Sequence, residues 1–392
     1  MSNIYEKSLL AHAQWKGKLS IKLKCDITNT DELSLAYTPG VAEPCRAIAR
    51  NPEDVYKYTS KGNMVAVITD GTAVLGLGDI GPKASLPVME GKCALFKTFA
   101  DIDAIPIALD TKDPREIIAI CKALAPAFGG FNLEDISAPR CVEIERALKK
   151  ELDIPVFHDD QHGTAIVVAA GLINALKLVH KEFKDIKVVV SGAGAAGSSV
   201  MFMLKNLGVK KIYGFSKDGV VRRSNLSADF LAKELAEFTN PHDENVTLAQ
   251  ALINADVFIG VSAPRLVTTD MIKTMSKNPI VFALANPEPE ITVDDAKAGG
   301  AYIIGTGRSD MPNQVNNVLV FPGLFRGALD AKATQITEPM KLAAAYALAS
   351  LISEKELRVD YIIPSVFDPR VSKTIAQEVM KVAVETGMVR VA

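Results

Sequence analysis

The chain has 392 residues, which is long for a single domain and suits two. Its 44 basic and 46 acidic residues are spread along the sequence and give a formal net charge of −2. This balance offers no electrostatic footprint for nucleic acid or for an anionic membrane, so we expect small-molecule partners. Five cysteines without a C-x-x-C pair, and a polar N-terminus unlike a signal peptide, predict a reduced, cytoplasmic protein.

The first half of the chain alternates short apolar runs with helical patterns. NMVAVITDG (63–71) and DAIPIALD (103–110) are predicted as strands, and PREIIAICKALAPAF as a helix. NLED, at residues 132–135, is predicted to lie in a loop that leads into a helix. IPVFHDD is predicted as a short strand that ends in carboxylates. This alternation favours an α/β fold.

The second half contains a clear βαβ pattern. KDIKVVVSGAGAAGSSVMFMLKNLGVKKIYGFS predicts a strand, a glycine turn, a helix and a second strand. The runs DVFIGVS, PIVFALANP and AYIIGTG follow at intervals that leave room for crossover helices. We therefore expect a doubly wound parallel sheet, followed by a helical segment over residues 330–392.

A glycine-rich turn in this pattern predicts a dinucleotide site. Its residues form GAGAAG: Gly192, Gly194, Ala195, Ala196 and Gly197. Glycines let the backbone approach a pyrophosphate, and the helix N-terminus offers free N–H groups to it. GLGDIG at residues 76–81 has the same spacing after an earlier strand, but Pro82 follows it at once. The context therefore favours residues 192–197.

The end of the next predicted strand bears on cofactor choice. An acid that binds the ribose hydroxyls of NAD is expected there, and this chain has Ser216. Lys217, Arg222 and Arg223 lie close by and would suit a 2'-phosphate, which favours NADP over NAD. Asp218 could still reach the ribose, although an Asp-Gly turn is the simpler interpretation.

Two acidic pairs follow apolar runs, namely Glu134 with Asp135 and Asp159 with Asp160. Such pairs can converge on one Mg2+ or Mn2+ ion, because these cations prefer oxygen ligands. The alternative is that they are ordinary helix-capping residues. His158 and His162 flank the second pair as surface or supporting groups.

Eight blocks of the sequence resemble malic enzymes, in the same order and across nearly the whole chain. They are YTPGVA, TDGTAVLGLGDIG, LPVMEGK, NLEDISAP, FHDDQHGTA, GAGAAG, FALANPEPE and QVNNVLVFPG. The resemblance implies an N-terminal α/β catalytic domain over residues 1–160 and a Rossmann-type NAD(P)-binding domain over 161–329. Helices over 330–392 would then pack on the first domain or at a subunit interface.

The same resemblance implies roles for particular residues. The metal ligands would be Glu134, Asp135 and Asp160, with Asp159 as a neighbouring acid of the active site. Lys92 and Tyr37 match the family's catalytic lysine and tyrosine. The asparagines near substrate and nicotinamide match Asn286 and Asn317. One position departs, because many larger members have an arginine where this chain has Ala73, so the grip on the substrate carboxylate is open.

The implied activity is oxidative decarboxylation of malate to pyruvate and CO2, with reduction of NAD or NADP and a need for Mn2+ or Mg2+, by a homodimer. Two other hypotheses stay open. A lyase of the oxaloacetate decarboxylase or malolactic type would use the same acids without net redox change. A dinucleotide-binding sensor without catalysis would have no need of Lys92, Tyr37 and three carboxylates.

Overall fold

The computed structural model describes residues 3–74, 76–225 and 228–390. Its strands, in chain order, are β1 (Met64–Thr69), β2 (Asp103–Ala108), β3 (Gly130–Leu133), β4 (Val156–His158), β5 (Lys187–Ser191), β6 (Lys211–Ser216), β7 (Gly219–Val220), β8 (Val257–Gly260), β9 (Ile280–Ala283) and β10 (Ile303–Thr306). They form a four-stranded sheet in the order β2-β1-β3-β4 and a six-stranded sheet in the order β10-β9-β8-β5-β6-β7.

The helices surround and connect these two sheets. In chain order they are α1 (Ile4–Trp15), α2 (Thr30–Ala36), α3 (Ala42–Arg50), α4 (Val55–Tyr58), α5 (Gly81–Ala100), α6 (Pro114–Leu124), α7 (Arg140–Glu151), α8 (Asp159–Val179), α9 (Ala195–Asn206), α10 (Phe230–Ala236), α11 (Leu248–Leu252), α12 (Thr269–Lys273), α13 (Val293–Ala298), α14 (Phe321–Asp330), α15 (Glu338–Ser350) and α16 (Arg370–Glu385).

The first sheet is entirely parallel, and its centre contains a strand that the sequence did not reveal. The predicted strands at 63–71 and 103–110 are confirmed as β1 and β2, and the predicted short strand is β4. The prediction of a loop at 132–135 was wrong for its first two residues, because β3 ends at Leu133. Only four residues long and beginning with glycine, β3 has too little pattern to be recognised.

The second sheet confirms the doubly wound prediction. All its neighbouring strands run parallel except β6 and β7, which form a hairpin. Lys217 and Asp218 form the two-residue turn of this hairpin and Gly219 begins β7 opposite Ser216, so Asp218 lies in a turn as predicted. After β5 the chain adds β6 on one side and later β8 on the other. The reversal leaves a crevice at the carboxyl ends of β5 and β8, where open α/β sheets bind ligands.

Helix α8 joins the two halves of the molecule. It starts at Asp159, so both carboxylates of the HDD sequence lie in its first turn rather than at a strand end. Its 21 residues are long and apolar enough to cross a membrane by composition alone, but 78% of its most apolar window is buried in the protein. It packs against α9 and α15 and forms part of the largest apolar core.

The C-terminal helices return to the first sheet. Phe321 and Phe325 of α14 pack against Phe96 of α5, with ring centroids 4.7 and 5.3 Å apart. Helix α16 lies against α14 and α15. The helical C-terminus is thus present, while the exact division of the chain at residues 160 and 329 stays a prediction.

Helices α1 and α2 bury none of their side chains, although many of these are apolar. The large exposed apolar residues from the N-terminus to the start of α3 are Ile4, Tyr5, Leu9, Leu10, Trp15, Leu19, Ile21, Leu23, Ile27, Leu33, Leu35 and Tyr37. The segment is fixed to the first domain at Lys18, whose backbone N–H and ammonium donate to Glu90 and to the Pro87 carbonyl of α5. The segment therefore leaves many large apolar side chains unburied.

Candidate active site

The two acidic pairs meet at the carboxyl edge of the first sheet. Glu134 directly follows β3, Asp160 lies two residues beyond β4, and Leu133 pairs with His158 in the register of these neighbouring strands. Parallel neighbours end at the same edge, which brings Glu134, Asp135 and Asp160 together. Their ligand oxygens lie within 4.8 Å of one another. The structure therefore brings together the predicted metal ligands.

Burial disfavours the charged forms of the carboxylates in this cluster. Burial raises the pKa of Glu134 well above its usual value, and burial together with the nearby Asp160 raises that of Asp135 to about 8. Asp135 adopts a left-handed backbone conformation with φ of 53°, and its N–H donates to Asp160 Oδ2 at 2.8 Å. Its own Oδ2 is buried with no hydrogen-bond partner among the described residues. A cation is the natural partner for such oxygens.

Lys92 of α5 lies directly beside this cluster. Its ammonium is 2.7 Å from Asp159 Oδ2, 3.0 Å from Glu134 Oε1 and 4.4 Å from the centre of the Phe321 ring. Burial alone would lower the pKa of Lys92, but the ion pairs with Asp159 and Glu134 outweigh burial and raise it above the usual value. Without a cation, therefore, this lysine is held in its charged form.

Asp159 is fully buried, and a glycine one turn later in the same helix leaves room for its carboxylate. Burial raises the pKa of Asp159, although the ion pair with Lys92 opposes this effect. A Cβ atom at Gly163, one turn later, would lie 2.0 Å from Asp159 Oδ1 and 3.0 Å from the Cβ atom of Asn317. Gly163 thus leaves the space that Asp159 occupies, and the predicted substrate residue Asn317 lies next to this turn.

The two flanking histidines are not surface groups. His158 is fully buried, and neither ring nitrogen has a hydrogen-bond partner in the described part of the chain. His162 Nε2 lies 2.8 Å from Glu145 Oε2, and burial lowers the pKa of His162 to about 4. His162 points away from the carboxylate cluster, toward α7.

Tyr37 is the predicted site residue that the chain does not bring to Lys92. Its side chain is 66% exposed, just beyond the end of α2. Within residues 3–74, 76–225 and 228–390, its hydroxyl forms no hydrogen bond. Tyr37 is therefore exposed to solvent, whereas Lys92 is buried.

The predicted dinucleotide turn has the required geometry. Gly192, directly after β5, has φ of 110°, and Gly194 caps the N-terminus of α9. A Cβ atom at Gly197 would lie only 1.6 Å from the carbonyl oxygen of Gly192, so a side chain there would break the turn. Ala195 and Ala196 begin α9 and add two small side chains. The turn therefore exposes the backbone N–H groups of α9 at the crevice.

The predicted cofactor-selecting residues follow at the end of β6. The Ser216 hydroxyl accepts from the N–H of Asp218 at 3.1 Å and donates to the Gly219 carbonyl at 3.3 Å, so it stabilises the hairpin. The Arg223 guanidinium donates to the carbonyls of Ala236 and Pro241. These hydrogen bonds give Arg223 a structural role. Lys217 and Arg222 have no side-chain hydrogen bond among the described residues. They remain the free cations of this region.

The second glycine-rich sequence, GLGDIG, lies between β1 and α5 of a second βαβ unit, but the connection there is a long loop over residues 70–80 rather than a tight glycine turn. A Cβ atom at Gly76 would lie 3.0 Å from Pro287 Cδ and 3.1 Å from the Asn286 carbonyl oxygen. The loop thus touches the segment after β9 that carries Asn286. The contact joins a loop of the first sheet to a loop of the second.

Sequence reasoning missed several groups that support the cluster. Asn132 of β3 donates to Glu134 Oε2 at 2.7 Å, and Arg140 lies 2.9 Å from the buried Asp70 Oδ2 at the end of β1. The backbone N–H of Ala73 donates to the Asp135 carbonyl. Asn132 stands two residues before Glu134, and this adjacency was the available signal. Asp70 and Arg140 are 70 residues apart, so no local pattern links them.

Comparison with known proteins decides the family. The Malic enzyme, N-terminal domain family matches residues 16–149, and the Malic enzyme, NAD binding domain family matches residues 161–384. The chain belongs to the malic enzyme family. This confirms the resemblance carried by the eight sequence blocks.

Individual relatives of this malic enzyme family member agree. The chain is 55% identical to the bifunctional malic/malolactic enzyme of Bacillus subtilis, over 99% of this chain and 95% of that protein. It is 54% identical to the NAD-dependent malic enzyme of Geobacillus stearothermophilus, over 99% and 80%. The crystal structure of the NAD-dependent malic enzyme of Thermotoga maritima matches with a TM-score of 0.91 and 47% identity, covering 95% of this chain and 98% of that one.

Proposed function

We propose that this protein converts malate to pyruvate and CO2 while reducing NAD or NADP. The observation that carries the proposal is the buried Lys92, held between Asp159 and Glu134 at the edge of a three-carboxylate cluster. Oxidation at C2 of malate sends a hydride to the nicotinamide and a proton to a base, and loss of CO2 then leaves an enolate that an acid protonates. An increase in absorbance at 340 nm that needs malate, dinucleotide and Mn2+ tests the proposal.

The acidic cluster fits a divalent cation. Four neighbouring carboxylates (Glu134, Asp135, Asp159 and Asp160) face the single ammonium of Lys92, which leaves an excess of negative charge. Buried acceptor oxygens without partners, such as Asp135 Oδ2 and Asp159 Oδ1, mark where positive charge is missing. We therefore assign Glu134, Asp135 and Asp160 as ligands of Mn2+ or Mg2+. When bound, the ion would supply Lewis-acid polarisation of the substrate's oxygens.

Lys92 is the best placed group to move the hydroxyl proton. Its ammonium is anchored by two carboxylates and by the Phe321 ring, so its position is fixed within the cluster. A base must be neutral to accept a proton, and at Lys92 this requires that its carboxylate neighbours be neutralised by another charge. Asp159, 2.7 Å away, keeps the ammonium oriented toward the cluster and away from the apolar core.

Tyr37 supports the proposal of a homodimer. Its exposed hydroxyl and the unburied apolar surface of α1 and α2 suit packing on a second copy of the chain, which would bring Tyr37 to the Lys92 of the other subunit. Mixing Tyr37→Phe chains with Lys92→Ala chains tests this arrangement. In mixed dimers one site would then combine an intact Lys92 with an intact Tyr37, and activity would return.

If each site instead used Tyr37 and Lys92 of one chain, every site in the mixed dimers would carry one defect. Absence of recovered activity, with mixed dimers confirmed by mass, would therefore reject the exchange. Size-exclusion chromatography with light scattering gives the oligomeric state of each preparation.

We infer a preference for NADP over NAD. Ser216 replaces the acid that would repel a 2'-phosphate, while Lys217 and the half-buried Arg222 retain unpaired cationic groups nearby. Ser216→Asp should shift the ratio of kcat/KM toward NAD by about tenfold, since an aspartate both binds the ribose and repels the phosphate. The matched Lys210→Gln change, at an exposed position just before β6, makes the net charge more negative by the same single unit outside the site and should leave the ratio unchanged.

A malolactic activity is the second candidate, because a relative with 55% identity is named a bifunctional malic/malolactic enzyme. The same site could convert malate to lactate and CO2 with no net change of the dinucleotide. Lactate formed from malate without accumulating NAD(P)H would establish this route. Pyruvate alone as the organic product would exclude it.

A further inference from the structure

A cavity that is separate from the carboxylate cluster lies beside the first turn of α8. It is on the opposite side of that turn from the cluster. Its volume is about 470 Å³, and it is lined by side chains of α7, α8, α9 and α15 together with Leu231 of α10. This volume falls within the ~300 to 1,000 Å³ typical of small-molecule sites. Gln161 and His162 line it, whereas the proposed metal ligands Glu134, Asp135 and Asp160 do not.

A chain of hydrogen bonds between charged side chains crosses the cavity wall. The backbone N–H of His158 donates to Glu145 Oε1, and the ring Nε2 of His162 donates to Glu145 Oε2. Because Nε2 is the donor, Nδ1 of a neutral His162 accepts, and it does so from the Lys341 ammonium at 2.9 Å. Lys341 also donates to Glu338 Oε1 at 2.6 Å. Both oxygens of Glu145 are thus already occupied by donors.

The groups left without partners here are mainly donors. Lys341 has one ammonium proton beyond its two hydrogen bonds. Lys149 comes no closer than 4.0 Å to Glu145 Oε1, and its ammonium forms no hydrogen bond with the described residues. Gln161 is 3% exposed, and its Nε2 is buried without a partner. Buried donors are normally satisfied, so the unpaired Gln161 amide, with the unused ammonium protons of Lys149 and Lys341 on the same cavity, marks a place for an acceptor.

The chemistry of the walls defines the missing acceptor. Two ammonium groups and an amide favour an acceptor whose oxygens carry negative charge, as in a carboxylate or a phosphate, because charge-assisted hydrogen bonds are the stronger ones. The rest of the lining is largely apolar and includes Val142 and Phe202. We infer that this cavity binds a small organic anion, whose oxygens accept hydrogen bonds from Lys149, Lys341 and Gln161. This site is additional to the malate and dinucleotide sites.

Calorimetric titration of the metal-free full-length protein tests the inference. The probes are succinate, benzoate and inorganic phosphate. The protein is stripped of metal with EDTA, and the EDTA is then removed by dialysis, so that no cation holds the probes at the carboxylate cluster. We expect one saturable site per chain for at least one probe. Lys149→Gln should weaken its binding by about tenfold or more, because it removes a charge-assisted hydrogen bond.

Lys150→Gln provides the matched control. It removes the same charge from the next residue of α7, which is exposed and does not line the cavity, so affinity should stay as in wild type. Lys149 is only partly buried, and retention of the wild-type circular dichroism spectrum confirms folding of its variant. Preferred binding of phosphate or of a carboxylate identifies the head group, and either result supports the site.

Three results would overturn the inference. The first is no saturable binding of any probe up to millimolar concentrations. The second is equal affinity in wild type and Lys149→Gln. The third is equal weakening in Lys149→Gln and Lys150→Gln, which would show a general charge effect. The measurement uses neither malate nor dinucleotide, so its outcome is independent of the proposed enzymatic activity.

Discussion

Lys92 and Lys61 are both buried lysines of the first domain, but their partners differ in kind. Lys61 donates to the backbone carbonyls of Ala125, Pro126 and Phe128, at 2.6, 3.1 and 2.7 Å. Burial lowers the pKa of Lys61 to about 8, whereas the carboxylates around Lys92 raise the pKa of that lysine despite its burial. Backbone carbonyl oxygens stay neutral. A carboxylate loses its charge when it is protonated, and its charge is balanced when a cation binds.

The comparison shows that burial by itself does not indicate function. Lys61 donates hydrogen bonds to carbonyls just beyond the end of α6 that would otherwise lack donors. Its role is therefore structural. Lys92 is held by side chains from two separate elements, and its proton affinity depends on their charge. The lysine whose environment can switch is therefore the one we place in catalysis.

The largest expected effect is at Lys92 itself. Lys92→Ala should reduce malate oxidation and oxaloacetate decarboxylation by ~10²- to 10⁴-fold, the usual contribution of a group that transfers protons. Steady-state rates for both reactions measure the loss. Lys97→Ala, on the exposed side of the same helix, should lose less than about twofold. A loss below about tenfold at Lys92 would remove it from proton transfer.

The next effect concerns the acids that set the state of Lys92. Asp160→Asn should weaken Mn2+ binding by more than about 100-fold, since even residues that only support metal ligands contribute ~10- to 100-fold. Titration calorimetry with Mn2+ measures the change. Asp153→Asn, an exposed acid just before β4, serves as the control. Wild-type affinity in Asp160→Asn would mean that this carboxylate does not bind the ion.

His162 is also a buried base, but its surroundings, unlike those of Lys92, carry no excess of carboxylates. Burial lowers its pKa from 6.5 to about 4, so between these values the unfolded chain binds a proton that the folded chain does not. The free energy of unfolding should therefore fall as pH decreases through this window, by on the order of 3 kcal/mol from this group. Denaturant unfolding of wild type and His162→Gln at several pH values measures it.

The variant should show a smaller fall in stability across that window than wild type does, because it lacks the titrating ring. Identical pH profiles would show that His162 does not resist protonation in the folded protein. Above pH 7 the two profiles should run parallel, since the ring is neutral in both the folded and the unfolded chain.

The smallest effect is expected at Lys61. Lys61→Met removes the donor of three carbonyls and should lower the free energy of unfolding by about 1 to 3 kcal/mol, while kcat stays within about twofold of wild type. Unfolding curves and steady-state rates on the same preparation separate the two quantities. A large loss of kcat with unchanged stability would place Lys61, too, in the catalytic machinery.

Much of the fold was predictable from local pattern. The strand ends at Thr69 and Ser216 and the turn at 192–197 follow from apolar runs bounded by glycine and polar residues. Strand β3 did not, because four residues carry no periodicity. The prediction that the strand IPVFHDD ends in carboxylates was wrong for those two acids, because α8 begins at Asp159, and acids in a first helical turn look the same as acids after a strand.

The site was predictable only in part. Adjacency of acids suggested the pairs Glu134 with Asp135 and Asp159 with Asp160. The family resemblance supplied Lys92 and the choice of three of these acids as metal ligands. The contact of Lys92 with Phe321 joins residues 229 positions apart, which no local pattern can reveal. Tyr37 is exposed in the single chain, so the partner surface proposed for it is visible in neither the sequence nor the fold of one subunit.

The most direct test of the central claim is the stoichiometry of products formed by the Mn2+-loaded protein from malate. The account predicts one NAD(P)H, one pyruvate and one CO2 per malate consumed, and loss of all three together in Lys92→Ala. Absorbance at 340 nm, enzymatic determination of pyruvate and CO2 capture give the three quantities from one reaction. CO2 released without NAD(P)H, or full product formation by Lys92→Ala, would contradict the account.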